Sequence, residues 1–177
     1  MWLVLLFRIC LFIGFLYAVW KWGNWKNWEK YYPTALFMMV VNLSANFLTY
    51  NHPFWNYSPD VLVNTQTTLE LISCFVILPS TAFIYLSQFP SNSKINEYGY
   101  IVLWVLIYSG LEFMDHYLIK GIYYTNGWSW LSSTIFDFAI FSILRLHYLR
   151  PFWAWIVTIL LAAAILMAFN FDPAKMK

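Results

Sequence analysis

The chain has 177 residues, of which 62% are apolar, 23% aromatic and only 10% charged, against roughly a quarter charged in soluble domains. That balance excludes a domain whose main solvent is water, and a net charge of +2 is too small to imply a nucleic-acid partner. Apolar runs long enough to cross a ~30 Å hydrocarbon core recur along the length, so the fold class is an all-α integral membrane bundle of about six transmembrane helices, with residues 1–177 as one transmembrane domain.

The first run, "WLVLLFRICLFIGFLYAVW", predicts a span over about 2–21. It lacks a basic leader and a small-residue cleavage site, so it reads as a retained span and not a removable signal. Arg8 lies inside it. The following "NWKNWEKYYP", residues 24–33, predicts a short amphipathic interfacial anchor. A second span over 34–51 carries Asn42 and Asn46 at i, i+4 on one stripe. The third, 66–87, holds Glu70 near its start and Pro79 within it, which should bend the helix or free a carbonyl.

The fourth span, 99–119, contains "LEFMDHYLIK", with Glu112, Asp115 and His116 at i, i+3 and i+4 on one helical face. Asp137 lies at mid-depth in the fifth, 128–148. Arg150 and Pro151 punctuate the step to a sixth, 152–169, because proline starts a helix more readily than it sits inside one. One continuous kinked helix in place of these last two is the alternative, although it would exceed the bilayer. Trp and Tyr gather near the ends of the runs, where amphipathic rings prefer the headgroup layer. Cys10 and Cys74 fall inside spans, where a thiol behaves as a small hydrophobe, and report no redox compartment.

Helices that alternate in direction put the connections after the second and fourth spans on one side, with the amino terminus. Counted from that face, Arg8, Asn42, Asn46, Glu70, Glu112, Asp115, His116 and Asp137 all lie between one interface and mid-membrane at ~1.5 Å per residue. A charge at the bilayer centre costs on the order of 3 kcal/mol, so these groups should face one another across a polar cavity or buried network. Four acids there face one certain cation, Arg8. Three arrangements resolve the imbalance: some acids stay protonated because a low dielectric disfavours their charged form, water fills the space, or a cation binds.

Glu112, His116, Asp137 and Glu70 are the residue types that a divalent metal such as zinc, manganese or iron takes. No cofactor is expected beyond that option. No glycine-rich phosphate loop, CxxC pair or HExxH motif occurs, and no separate nucleophile or base stands beside those ligands, which leans away from an enzyme. The plain alternative is a structural or partner-binding subunit whose polar network fixes helix packing at ~1 kcal/mol per contact. On the opposite face, Arg145, His147 and Arg150 form a basic cluster suited to anionic headgroups. With Lys21, Lys26, Lys30 and Lys94 on that side against Lys120, Lys175 and Lys177 on the other, the bias places both termini outside. The lipid bilayer is the expected partner, and the apolar sixth span offers a face for a second copy or a membrane subunit.

In "NWKNWEKYYPT" (24–34), "NFLTYN" (46–51), "NGW" (126–128) and "ILRLHYLRP" (143–151) the chain resembles a family of small multi-spanning membrane proteins of uncharacterised function from spore-forming Firmicutes. The resemblance covers most of the chain. It implies a bacterial cytoplasmic-membrane location and supplies no substrate, cofactor or catalytic residue. The reading of the residues is a non-enzymatic bundle whose outer-half acidic cavity binds or conducts a cation, proton or small polar solute.

Overall fold

A computed structural model describes residues 1–172. The tail lysines Lys175 and Lys177 used in the orientation count lie outside the described residues. Six long helices follow in chain order: α1 (Trp2–Trp22), α2 (Trp28–Leu48), α3 (Gln66–Ser87), α4 (Lys94–Ile119), α5 (Trp130–Leu149) and α6 (Pro151–Ala168). Four of them, α1, α3, α4 and α6, are both long and apolar enough to cross a membrane. α2 and α5 have comparable length but carry more polar side chains, including Asn42, Asn46, Asp137 and His147.

The helix limits follow from local chemistry. Thr65, Ser93 and Ser129 cap α3, α4 and α5, each accepting a backbone N–H three residues on at 3.2–3.3 Å. Arg150 adopts an extended conformation with φ −147° and ψ 78°, and Pro151 opens α6, so the last two spans are separate helices. α2 begins six residues before the expected start, at Trp28 and not 34. Pro33 sits early enough in it that the hydrogen bond it forfeits is to Glu29 in the first turn. "NWKNWEKYYP" is therefore a 3₁₀ turn, Trp25–Asn27, running straight into α2, and it is not a separate interfacial helix.

Pro79 acts as expected on α3. Lacking an N–H, it cannot satisfy the carbonyl of Phe75, and the helix widens to a π turn over Ser73–Ile77 just before it. A second π turn, Met114–Ile119, ends α4.

The two ends of the bundle differ. Toward the end that exposes Lys21, Lys26, Lys30, Lys94 and Arg150, aromatic side chains pack solidly. Tyr85 and Phe141 are fully buried there, Tyr85 Oη donates to the Phe141 carbonyl at 2.8 Å, and Trp104 and Tyr100 pack around them. Toward the other end the helices splay around a hollow.

A two-stranded antiparallel ribbon lies over that end. β1 (Trp55–Tyr57), after α2, pairs with β2 (Ile122–Tyr124), after α4, in the register Trp55↔Tyr124 and Tyr57↔Ile122. Both segments read as plain loops in the sequence, but the ribbon puts the two connections on one side as helix alternation requires. Side chains alternate across a strand, so Trp55, Tyr57 and Ile122 line the hollow while Tyr123 turns away and is half exposed.

Gly121 stands where α4 turns into β2, and a methyl group on its Cα would collide with the Asp115 carboxylate. Gly121→Ala is expected to lower stability by about 1–3 kcal/mol through that overpacking. Gly14→Ala, where nothing lies within 4 Å, should not. Thermal melting of the two variants in detergent checks the contrast, and equal melting temperatures would show that the Asp115 carboxylate swings aside without cost.

Candidate functional site

The hollow is a cavity of about 890 Å³ lined by all six helices and both strands of the ribbon. Arg8, Asn42, Asn46, Glu70, Glu112, Asp115 and Asp137 all line it. Each comes from the half of its helix nearest the ribbon: Asp137 is seven residues inside the start of α5 and Glu112 seven from the end of α4. At ~1.5 Å per residue both lie roughly 10 Å below the helix ends. The remaining walls are mostly apolar, with Leu, Ile and Phe predominating.

His116 departs from the expectation. The i, i+3, i+4 argument assumes an α-helix, but Met114–Ile119 is a π turn with more residues per revolution, which rotates His116 off the face that carries Glu112 and Asp115. His116 Nδ1 donates to the Ile122 carbonyl at 3.0 Å, and its ring packs 4.4 Å from that of Tyr124. Tyr124 also donates its hydroxyl to Glu112 Oε1 at 2.9 Å. One tyrosine thus takes up both partners of the Glu112 and His116 metal pair. Among the described residues, no three His, Cys, Asp or Glu side chains come together as a metal-ligand group, so Glu112, His116, Asp137 and Glu70 are not gathered into one.

Arg8 is not the counter-ion of Glu112 or Asp137. Its Nη1 lies 2.5 Å from Asp60 Oδ2, and its Nη2 donates to the carbonyls of Ser58 at 2.8 Å and Gly121 at 3.1 Å. Asp60, in the connection after α2, was not singled out in the sequence, where "NYSPDVLVN" reads as a turn. Its signal was the turn itself: Oδ1 accepts the backbone N–H groups of Leu62 and Val63, both at 2.8 Å, as Asp does when it caps its own loop. Burial by itself would raise the Asp60 pKa. The Val63 N–H, Arg8 and the Leu62 N–H outweigh it and hold the carboxyl below the usual range.

Tyr57 hangs from β1 into the same space. Burial, then the charges of Glu70, Glu112 and Asp115, push its phenol up to about 12, with Arg8 opposing from 5.9 Å above the ring. Burial and the adjoining Glu112 likewise push Tyr124 well above the usual phenol range. Glu70 accepts from Gln66 Nε2 at 2.7 Å, and Ser133, which accepts from Trp128 Nε1 at 2.8 Å, sits beside Glu112. Two of the cavity acids have a buried carboxylate oxygen without a hydrogen-bond partner, Asp115 at Oδ1 and Asp137 at Oδ2, and Asp137 is the more buried at 7% exposed. Among the described residues lining the cavity, Arg8 is the one Lys, Arg or His, and Asp60 already takes its charge.

The opposite-face trio does not form one basic cluster. Arg150 is exposed, but His147 is 5% exposed, bonded to Thr34 Oγ1 through Nδ1 at 2.9 Å and stacked on Phe37 with ring centres 4.1 Å apart. Arg145 lays its guanidinium over Phe89, 4.1 Å from the ring centre. His147 ties α5 to α2 and Arg145 ties α5 to the connection after α3, contacts that a one-dimensional reading of charges does not reveal. No known protein family, curated protein or solved structure matches this chain.

Two outcomes follow from the charged groups. Asp60→Asn removes the carboxylate from the part-buried Arg8 and leaves it only the Ser58 and Gly121 carbonyls, and is expected to cost about 1–3 kcal/mol. Because the folded pKa of Asp60 is depressed, its contribution is complete above the ordinary 3.8 and is lost as pH falls below that value. Acid melting curves should therefore differ between wild type and Asp60→Asn above that range and converge below it. The Tyr57 contribution has the opposite sense: it is complete below pH 10.0 and lost as pH rises through about 12. Alkaline phenolate titration should show a late-ionising tyrosine that Tyr57→Phe removes.

Proposed function

We propose that the chain is a non-enzymatic membrane protein that crosses the bilayer six times and binds a cation in the cavity under its ribbon. The reading takes α2 and α5 as spans alongside the four more apolar helices. Their polar stripes are accommodated because Asn42, Asn46 and Asp137 face the cavity and not lipid. The loop charges favour both termini outside, which sets the cavity in the outer half, and the family resemblance favours a bacterial cytoplasmic membrane.

One observation carries the reading. The Asp137 carboxylate is buried with an unpartnered oxygen in a cavity that also receives Glu112, Glu70 and Asp115. An unsatisfied buried acceptor of this kind is costly, and an unpaired carboxylate within a membrane more so. A cation entering the cavity removes that cost. Interhelical locking accounts for Glu112, through Tyr124, and for Arg8, through Asp60, but Asp137 locks to nothing.

The test is equilibrium binding to the protein in nanodiscs, with thallous ion, methylammonium and tetraphenylphosphonium as probes. At least one should bind saturably. Asp137→Asn and Glu112→Gln should weaken it by on the order of tenfold to a hundredfold, the worth of a charge-assisted contact, at little change in melting temperature. Unchanged binding with a lowered melting temperature would assign the acids to helix packing instead.

A further inference from the structure

The walls of the cavity discriminate between kinds of cation. Aromatic residues from several elements line the hollow, among them Phe7, Phe12 and Phe15 of α1, Tyr108 of α4 and Phe136 of α5. Beside the acids, therefore, the cavity is bordered by aromatic side chains, and a ring that turns its face to a cation attracts it through its quadrupole at up to about 6 Å, most strongly where water is absent. A volume of about 890 Å³ lies within the roughly 300–1,000 Å³ common for sites that enclose drug-sized organic ligands.

Three simpler occupants fit less well. An inorganic ion with several waters, at ~30 Å³ each, fills a small part of the volume and leaves the apolar wall wet. A neutral acyl chain covers the wall but leaves Asp137 Oδ2 without a partner. An anionic headgroup would meet Glu70, Glu112, Asp115 and Asp137 with Arg8 already held by Asp60.

We propose that the hollow half of the bundle binds an organic cation with a bulky apolar body, its charge at Asp137 and Glu112 and its body against Phe12, Phe15 and Phe136. This rests on the cation-site reading above and names the class of ligand. The bilayer is a natural source of such molecules, since an apolar body partitions into it while its charge remains uncompensated there.

The test uses the full chain in nanodiscs with labelled tetraphenylphosphonium, displaced in turn by methylammonium, which has the charge without the body, and by triphenylphosphine oxide, which has the body without the charge. Displacement by either should require concentrations higher than unlabelled tetraphenylphosphonium by on the order of tenfold or more. Phe12→Ala and Phe136→Ala should weaken tetraphenylphosphonium and leave methylammonium unchanged. If methylammonium displaces as well as the large cation, or if both alanine variants bind tetraphenylphosphonium like wild type, the organic-cation class is wrong while the cation site stands. If no cation binds saturably, both readings fall together. The wild-type displacement series needs no variant to fold.

Discussion

The contact between Arg8 and Asp60 organises the ribbon end of the molecule. A guanidinium inside an apolar span cannot be left unpaired, and Arg8 spends its donors on three separate segments: the Asp60 carboxylate, the Ser58 carbonyl and the Gly121 carbonyl. The amino-terminal helix is thereby tied to the connection after α2 and to the turn after α4, the two stretches that pair as β1 and β2. Asp60 in turn holds its own loop through two backbone N–H groups. Because this pair is closed on itself, the only Lys, Arg or His in the cavity wall among the described residues is withdrawn from the four acids beneath it.

The bundle then divides along its length. At the basic end, Tyr85, Trp104 and Phe141 fill the interior, Thr34 bonds His147, and Tyr85 bonds the Phe141 carbonyl. Toward the ribbon the same helices diverge. Two π turns lie on this side, one forced by Pro79 and one that closes α4. The second redirects His116 to the ribbon while leaving Glu112 and Asp115 at the cavity wall. A turn of that width is a common way for a helix to re-aim a functional side chain. The packed end supplies cohesion among helices that lipid does not press together, and the hollow end leaves a cavity of about 890 Å³.

How far the sequence foretold this can be judged residue by residue. The convergence of Arg8, Asn42, Asn46, Glu70, Glu112, Asp115 and Asp137 on one cavity was legible, because helix direction alternates and ~1.5 Å per residue converts position into depth. Pro79 and Pro151 behaved as their missing N–H groups require. His116 was misplaced because helical periodicity presumes an unbroken α-helix, and nothing in "MDHYLI" announces a π turn. His147 was taken for a surface base because its partners, Thr34 and Phe37, are more than a hundred residues away in the chain. The ribbon escaped notice because three-residue strands gain their identity from the partner strand.

By itself, then, the amino-acid order determined the solvent, the helices, their alternation and the height at which the ionisable groups sit, since each depends on hydrophobicity and local backbone chemistry alone. Only the tertiary structure decided the pairings: that Arg8 goes to Asp60, that Tyr124 serves both Glu112 and His116, and that Asp137 has an oxygen left over. Those outcomes depend on which side chains meet across helices brought together from distant parts of the chain, and side-chain direction at such crossings is set by packing, which no local pattern encodes.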